Sequence, residues 1–436
     1  MIIAKEGKNS ISLFRKGNYR LEIDGLRAFA VIAATCHNFN REFLPCGYLG
    51  VDMFAVISGY VITSSLARRQ SINFKDFLFG FYERRLKRLI PTLVFFVLIT
   101  TIVISIISPY PFFAINTGIF SLFGFSNLYL VRNFTDYFSE SAELNPFTHT
   151  WSLSVEAQYY FFYPLILWFT GFSKQSRNGF RNLLLIISFL SFISLCTFLY
   201  GYKSNPTSAY FLLQSRFWEM GIGCIIFLLN QSDCLFLKKF KNIPSSPLIA
   251  LLIISFTIPL RFGLFATLIV VILTTALISN TREKSFAYEF LTTKIFLYIS
   301  KISYSLFLWR WSLVAIFQWT IGINKYTLPF QIIFLFLLST LTNYFIEEPF
   351  RKAKWSVKKL KSLMHGLLIN IAAAFLILII KYEFSDQLRS IGQRFIRPKY
   401  PFNTIVQRDL VCHTPNSPQN AIEKCLSPTE SNKQNI

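Results

Sequence analysis

Acidic residues are scarce in this chain: 22 Asp and Glu stand against 44 Lys and Arg, a formal net charge of +22 at pH 7. Charge of either sign is itself thin, at 15% of residues, while 53% are hydrophobic and 49 are Phe. A soluble domain of 436 residues could not cover that much apolar surface. The excess Lys and Arg sit in short loops between apolar runs rather than along one stripe. That distribution argues against a nucleic-acid partner and fits the positive-inside rule of membrane proteins. The first 22 residues lack an apolar core ahead of a small-residue cleavage site, so no removable signal peptide is expected. The seven Cys show no metal-ligand spacing, and no metal is expected: five lie in or near apolar runs, and Cys412 and Cys425 lie in a polar tail. There is no sequence repeat and no low-complexity block.

What is present is a series of apolar runs of about 17–22 residues, the length a helix needs to cross ~30 Å of hydrocarbon. Spans are predicted near 23–40, 48–66, 87–108, 153–172, 183–200, 213–231, 247–260, 262–280, 295–320, 328–346 and 366–382. Lipid offers no partner for bare backbone groups, so the fold class is an all-α polytopic membrane protein. The basic loops 68–88 and 174–181 should both face the cytoplasm. Two crossings already join them, so the apolar stretch 111–131 is predicted to be re-entrant or packed on the outer side. The same parity places Lys238, Lys239, Lys241, Arg282, Lys284 and the cluster Arg351 to Lys361 inside.

The expected organisation is a cytoplasmic segment 1–18, a ten-helix core over 19–352, a basic cytoplasmic segment 353–365, an eleventh transmembrane helix 366–382 and a polar extracytoplasmic tail 383–436. That tail is too short and polar for a sizeable core. It would lie on the oxidising side, where Cys412 and Cys425 are expected to form a disulfide.

Ionisable residues inside spans are costly and so mark candidate function. In the first span Asp24 and Arg27 sit one turn apart and can pair, and His37 lies roughly 15 Å further up the helix. A neutral His there can still take a proton, although a His bonded to a backbone carbonyl is the plainer reading. In the second span Asp52 is a carboxylate that needs a partner, while Gly50, Ser58 and Gly59 permit close helix approach. A third cluster opens another span with His149, Trp151, Ser152, Ser154 and Glu156: a base, an indole donor, hydroxyls and a carboxylate within about three turns. Arg216 with Glu219, then Ser303 to Trp311 including Tyr304, and Phe345 to Arg351 complete the set.

In that order these stretches resemble acyltransferase family 3, membrane acylases of O-antigen, peptidoglycan, Nod factors and other glycans. The resemblance runs through Asp24–Arg27, His37, Gly50–Gly59, Phe81–Pro91, His149–Tyr160, Arg216–Glu219, Ser303–Trp309 and Phe345–Arg351, covering roughly 19–352. It implies an enzyme of the bacterial inner membrane. Such an enzyme moves an acyl group, most commonly acetyl, from cytoplasmic acyl-CoA to a glycan or lipid-linked glycan hydroxyl on the far side. Acyl-CoA is a co-substrate, and no bound cofactor is implied.

By position, His37 is the candidate general base, with His149 and Glu156 in catalytic roles. Asp24, Arg27, Arg84, Arg85 and Arg88 fall to the donor. Asp52, Trp151, Ser152, Ser154, Arg216, Glu219 and Tyr304 fall to the acceptor or to structure. The chain departs from the pattern at Ala55, where Phe is usual, at Ala157, where Glu is common, and at Arg310, where His is frequent. Nine residues separate Arg27 from His37 instead of ten. Longer relatives continue into an esterase-like outer domain, and no matching nucleophile motif is found in this tail. Readings left open are a chain that works with a separate extracytoplasmic acyl-receiving partner, an inactive or truncated relative, and a transporter.

Overall fold

The computed structural model describes residues 19–69, 73–108, 111–133, 144–174, 176–231, 243–356, 359–384, 387–388 and 390. Cys412, Cys425 and the segment 1–18 lie outside them. The principal helices are α1 (Leu21–Phe39), α2 (Gly50–Ala67), α3 (Phe74–Ile107), α4 (Phe112–Leu122), α5 (Ser126–Asn133), α6 (Thr150–Phe169), α7 (Arg177–Ser204), α8 (Leu213–Gln231), α9 (Ser245–Ser255), α10 (Gly263–Asn280), α11 (Ser303–Trp319), α12 (Leu328–Thr342) and α13 (Lys359–Ile379). The described residues form an all-α polytopic membrane protein. Seven helical segments are long and apolar enough to cross a bilayer: Gly47–Ala67, Phe74–Ile107, Arg177–Ser204, Pro206–Gln231, Leu260–Asn280, Leu328–Lys352 and Lys359–Phe384.

Three expected boundaries change, each for a local reason. The stretch 68–88 is not a loop throughout: α3 starts at Phe74, capped by the Asn73 side chain on the Asp76 amide, and runs 34 residues. At 1.5 Å per residue that is about 51 Å, longer than the hydrocarbon, so its basic first turns extend the helix instead of ending it. The expected span 247–260 holds only the 11-residue α9. The expected span 295–320 breaks at Ile302 into Lys294–Lys301 and α11. The stretch 111–131 forms no single helix long enough to cross. It is two short helices, α4 and α5, and Gly124 between them takes φ +74, a turn that favours glycine.

Helix α1 packs on α2 and α11, α8 packs most extensively on α7 and α2, and α13 lies along α3. Small residues set the α2–α8 spacing. A Cβ on Gly59 would fall 1.9 Å from the Met220 carbonyl oxygen, and one on Gly223 would fall 2.0 Å from that of Val56. The two backbones therefore touch, as small-residue seams in membranes allow. The outward faces of α7, α12 and α13 carry exposed Phe, Leu and Ile, as a lipid-facing surface requires.

Candidate active site

Each helix around the central cavity contributes one stripe at helical spacing. Val51, Phe54, Ala55 and Ser58 come from α2; Arg85, Arg88 and Leu89 from α3; Trp151, Ser152, Val155, Glu156 and Tyr160 from α6; Arg216, Glu219 and Met220 from α8; Ser303, Tyr304 and Phe307 from α11; and Arg27 from α1. The atom-free volume they enclose, including the part open to solvent, is about 890 Å³.

One end of the cavity is cationic. Arg27, Arg85 and Arg88 line it together, and Arg27 is held by Asp24 at 3.2 Å. Asp24 also accepts from the Tyr19 hydroxyl. The Arg85 guanidinium lies over the Tyr160 ring at 4.9 Å. Arg84 turns out of the cavity and is exposed, because one residue along a helix rotates the side chain by ~100°. The Tyr304 hydroxyl donates to the Leu89 carbonyl at 3.0 Å, tying α11 to this end of α3.

Further in stands a carboxylate that gathers hydroxyls. Glu156 Oε1 accepts from Ser58 Oγ at 2.5 Å and from the Tyr160 hydroxyl. Beside it is a buried ionic triad. Arg216 Nη1 meets Asp52 Oδ1 at 3.2 Å and Glu219 Oε1 at 2.7 Å. All three side chains are almost fully buried, so the charges compensate each other rather than solvent. Tyr210 caps the triad from the side, its ring 4.7 Å from the Arg216 guanidinium and its carbonyl accepting from Nε at 3.0 Å.

The two candidate histidines, His37 and His149, stand outside this cavity. His37 is buried, and its Nδ1 is 2.9 Å from the Leu44 carbonyl oxygen. A carbonyl only accepts, so Nδ1 carries the proton and the lone pair of a neutral ring is at Nε2. The ring packs 5.5 Å from that of Tyr48. His149 is buried among the rings of Phe96, Phe307 and Trp311 at 5.7, 5.6 and 6.4 Å. Phe307 separates it from the cavity it also lines. Arg310 reaches α1 one turn below His37, donating to the Ala34 carbonyl at 3.3 Å. Ser154 points away from Glu156 and bonds the Ser126 hydroxyl at 2.8 Å, pinning α5 to α6.

The structure thus brings Arg27, Arg85, Arg88, Trp151, Ser152, Glu156, Arg216, Glu219 and Tyr304 to one cavity, with Asp52 behind Arg216. It sets His37, His149, Ser154 and Arg84 apart. Ser58, read from the sequence as a packing residue, is a lining residue bonded to Glu156, and Tyr160 was passed over. The signal for Ser58 was its seven-residue spacing from Val51, which puts both on one helical face.

The sequence profile described as "Acyltransferase domain" (Acyl_transf_3) matches residues 20–348. O-acetyltransferase OatA of Staphylococcus aureus, in strains NCTC 8325 / PS 47 and MRSA252, is 31% identical over 353 residues, covering 76% of this chain and 57% of the relative. The chain therefore spans little more than half the length of these curated relatives. No solved structure matches it.

Proposed function

The chain belongs to the acyltransferase domain family matched over residues 20–348, and from that premise we propose that it is a membrane-embedded O-acyltransferase. It moves an acyl group, acetyl in the simplest case, from cytoplasmic acyl-CoA to a hydroxyl of a cell-envelope polysaccharide or lipid-linked glycan on the opposite side of a bacterial plasma membrane. The N-terminus and the 351–361 basic segment are cytoplasmic in this reading.

The observation that carries it is the polarity of one cavity, with three guanidinium groups at one end and the Glu156–Ser58 pair and the Asp52–Arg216–Glu219 triad beyond. Guanidinium forks bind phosphate oxygens, which suits the phosphate-bearing end of an acyl-CoA. The thioester would then lie inward, near Glu156. The acceptor oxygen attacks the thioester carbonyl, a C–O bond forms, the C–S bond breaks and CoA leaves as a thiolate that takes a proton. The proton of the hydroxyl is assigned to His37 Nε2, whose lone pair the Leu44 contact leaves available, and passes from the imidazolium to the departing thiolate. His37 does not line this cavity, so the hydroxyl must reach it past Tyr48, whose ring is 5.5 Å away.

Mass spectrometry of envelope glycans from cells with and without the gene tests this. Loss of one acyl substituent in the deletion strain, restored by the wild-type chain, is the expected result. Identical glycan spectra in the two strains would reject it.

A further inference from the structure

A second cavity lies at the other end of the bundle, and no residue of it except Arg216 has been given a function above. It is lined by Tyr48, Phe198, Tyr202, Tyr210, Arg216 and Thr267, with Leu260 at its rim, around an atom-free volume of about 1010 Å³, open solvent included. Its place in the fold follows from connectivity. Tyr48 lies in the short turn Gly47–Leu49 that leads into α2, whose other end leads to the start of α3 and the Arg85–Arg88 cluster. Tyr202 is in the last turn of α7, and Leu260 is in the turn before α10. The cavity is therefore opposite the cationic mouth, and Arg216 borders both chambers.

We infer that this second cavity is the acceptor-sugar site, binding one or two uncharged pyranose rings of the glycan. The inference rests on the acyl-transfer reading and deepens it by locating the substrate. Four aromatic rings face one space, and aromatic faces stack against the C–H faces of sugars. Tyrosine adds a hydroxyl to the apolar ring. The Tyr48 and Tyr202 hydroxyls converge: a Cβ on Gly263 would be 3.0 Å from each. With Thr267 they place three hydroxyl oxygens on the wall of the pocket. Tyr202 is bonded to the Leu264 backbone and Thr267 to Asp52, and a hydroxyl so bonded keeps further hydrogen-bonding capacity for a ligand. A lipid tail would have no use for those hydroxyls. A phosphate or other anion gains little here, because the charge of Arg216 is already met by Asp52 and Glu219. A neutral polyol fits what remains. His37 lines neither chamber, but its ring lies 5.5 Å from that of Tyr48, which lines this one, so the proposed base stands behind the wall of the sugar chamber. Tyr48 and Tyr210, 6.4 Å apart, link it to the partition at Arg216.

The test is saturation-transfer NMR of the full chain in nanodiscs, with chitotetraose and cellotetraose as probes and no acyl donor present. Tyr202 is only half-buried near a helix end, so its replacement leaves the bundle core intact. Tyr202→Ala should weaken binding of whichever probe the wild type binds by about tenfold, and Tyr202→Phe by threefold or less. In a transfer assay with the same probe, Tyr202→Ala should raise the acceptor KM by a similar factor with little change in kcat. Binding by the wild type that Tyr202→Ala leaves unchanged, or no binding of either probe, overturns the inference. Sugar binding that depends on Tyr202 without any transfer from acyl-CoA would instead sink the acyl-transfer reading and leave this site standing.

Discussion

Ser58 on α2 donates its hydroxyl to Glu156 on α6 at 2.5 Å, across 98 residues of chain. The contact places a carboxylate with two hydroxyl partners, the second from Tyr160, on the wall between the cationic mouth and the Arg216 triad. Glu156→Gln keeps the shape and removes the charge. Acyl transfer by this variant should fall by about tenfold or more, because the charge that holds the Ser58 and Tyr160 hydroxyls in place is gone. Ser58→Ala should cost no more than about tenfold. Steady-state transfer rates on purified, inserted protein check both, and a fully active Glu156→Gln would remove that carboxylate from the chemistry.

The Asp52–Arg216–Glu219 triad makes a stability prediction with a definite ordering. Removing one partner of a buried charge set leaves the others uncompensated, at a cost of about 3–5 kcal/mol. Arg216→Ala strands two carboxylates, so it should lower thermal stability in detergent more than Asp52→Asn, which still leaves Arg216 paired with Glu219. The triple variant Asp52→Asn, Arg216→Met, Glu219→Gln should be more stable than Arg216→Ala alone. The opposite order would mean that Arg216 acts mainly through its contacts with Tyr210, Phe198 and Trp151.

Much of this arrangement was readable in the sequence, and the limits are physical. Periodicity and apolar length identified the class and most of the long apolar helices. The three-residue spacing of Asp24 and Arg27 announced their ion pair, and the small residues of α2 announced close helix contact without naming α8 as the partner. Asp52 advertised its need for a partner, but Arg216 lies 164 residues away, and nothing local points to it. Ser154 and Glu156 looked like one cluster because they are near in sequence. Two residues turn a helix by ~200°, so one faces α5 and the other the cavity. The basic stretch before Pro91 looked like a loop because charge suggested water, yet no residue between Phe74 and Leu89 breaks a helix. The second cavity was not legible at all: Tyr48, Tyr202, Tyr210 and Thr267 belong to separate segments that only tertiary packing unites.

Ala55 lines the central cavity, proposed above to take the donor, where the family pattern usually has Phe, and its small side chain leaves room beside Phe54 and Phe307. Ala55→Phe should therefore slow transfer from longer acyl-CoAs by more than tenfold while changing acetyl transfer by threefold or less. Parallel assays with acetyl-CoA and hexanoyl-CoA decide the matter. Equal losses for the two donors would place the acyl group elsewhere.

Orientation is checked by cysteine labelling in intact cells, in a background with the native cysteines replaced. A probe at Ser356, in the basic segment before α13, should be protected from an impermeant maleimide. A probe at Ser204, at the end of α7, should react. The reverse pattern would invert the assignment of donor and acceptor ends.

The central claim is that an acyl group passes from acyl-CoA to a glycan hydroxyl with His37 as the base. Its most direct measurement is transfer of label from radiolabelled acetyl-CoA to glycan by the purified full chain in nanodiscs, comparing wild type with His37→Ala. The account predicts labelled glycan with the wild type, and a loss of about 10²-fold or more per folded, inserted molecule in His37→Ala. Wild-type rates in His37→Ala, or no labelled glycan from the wild-type chain, would contradict it.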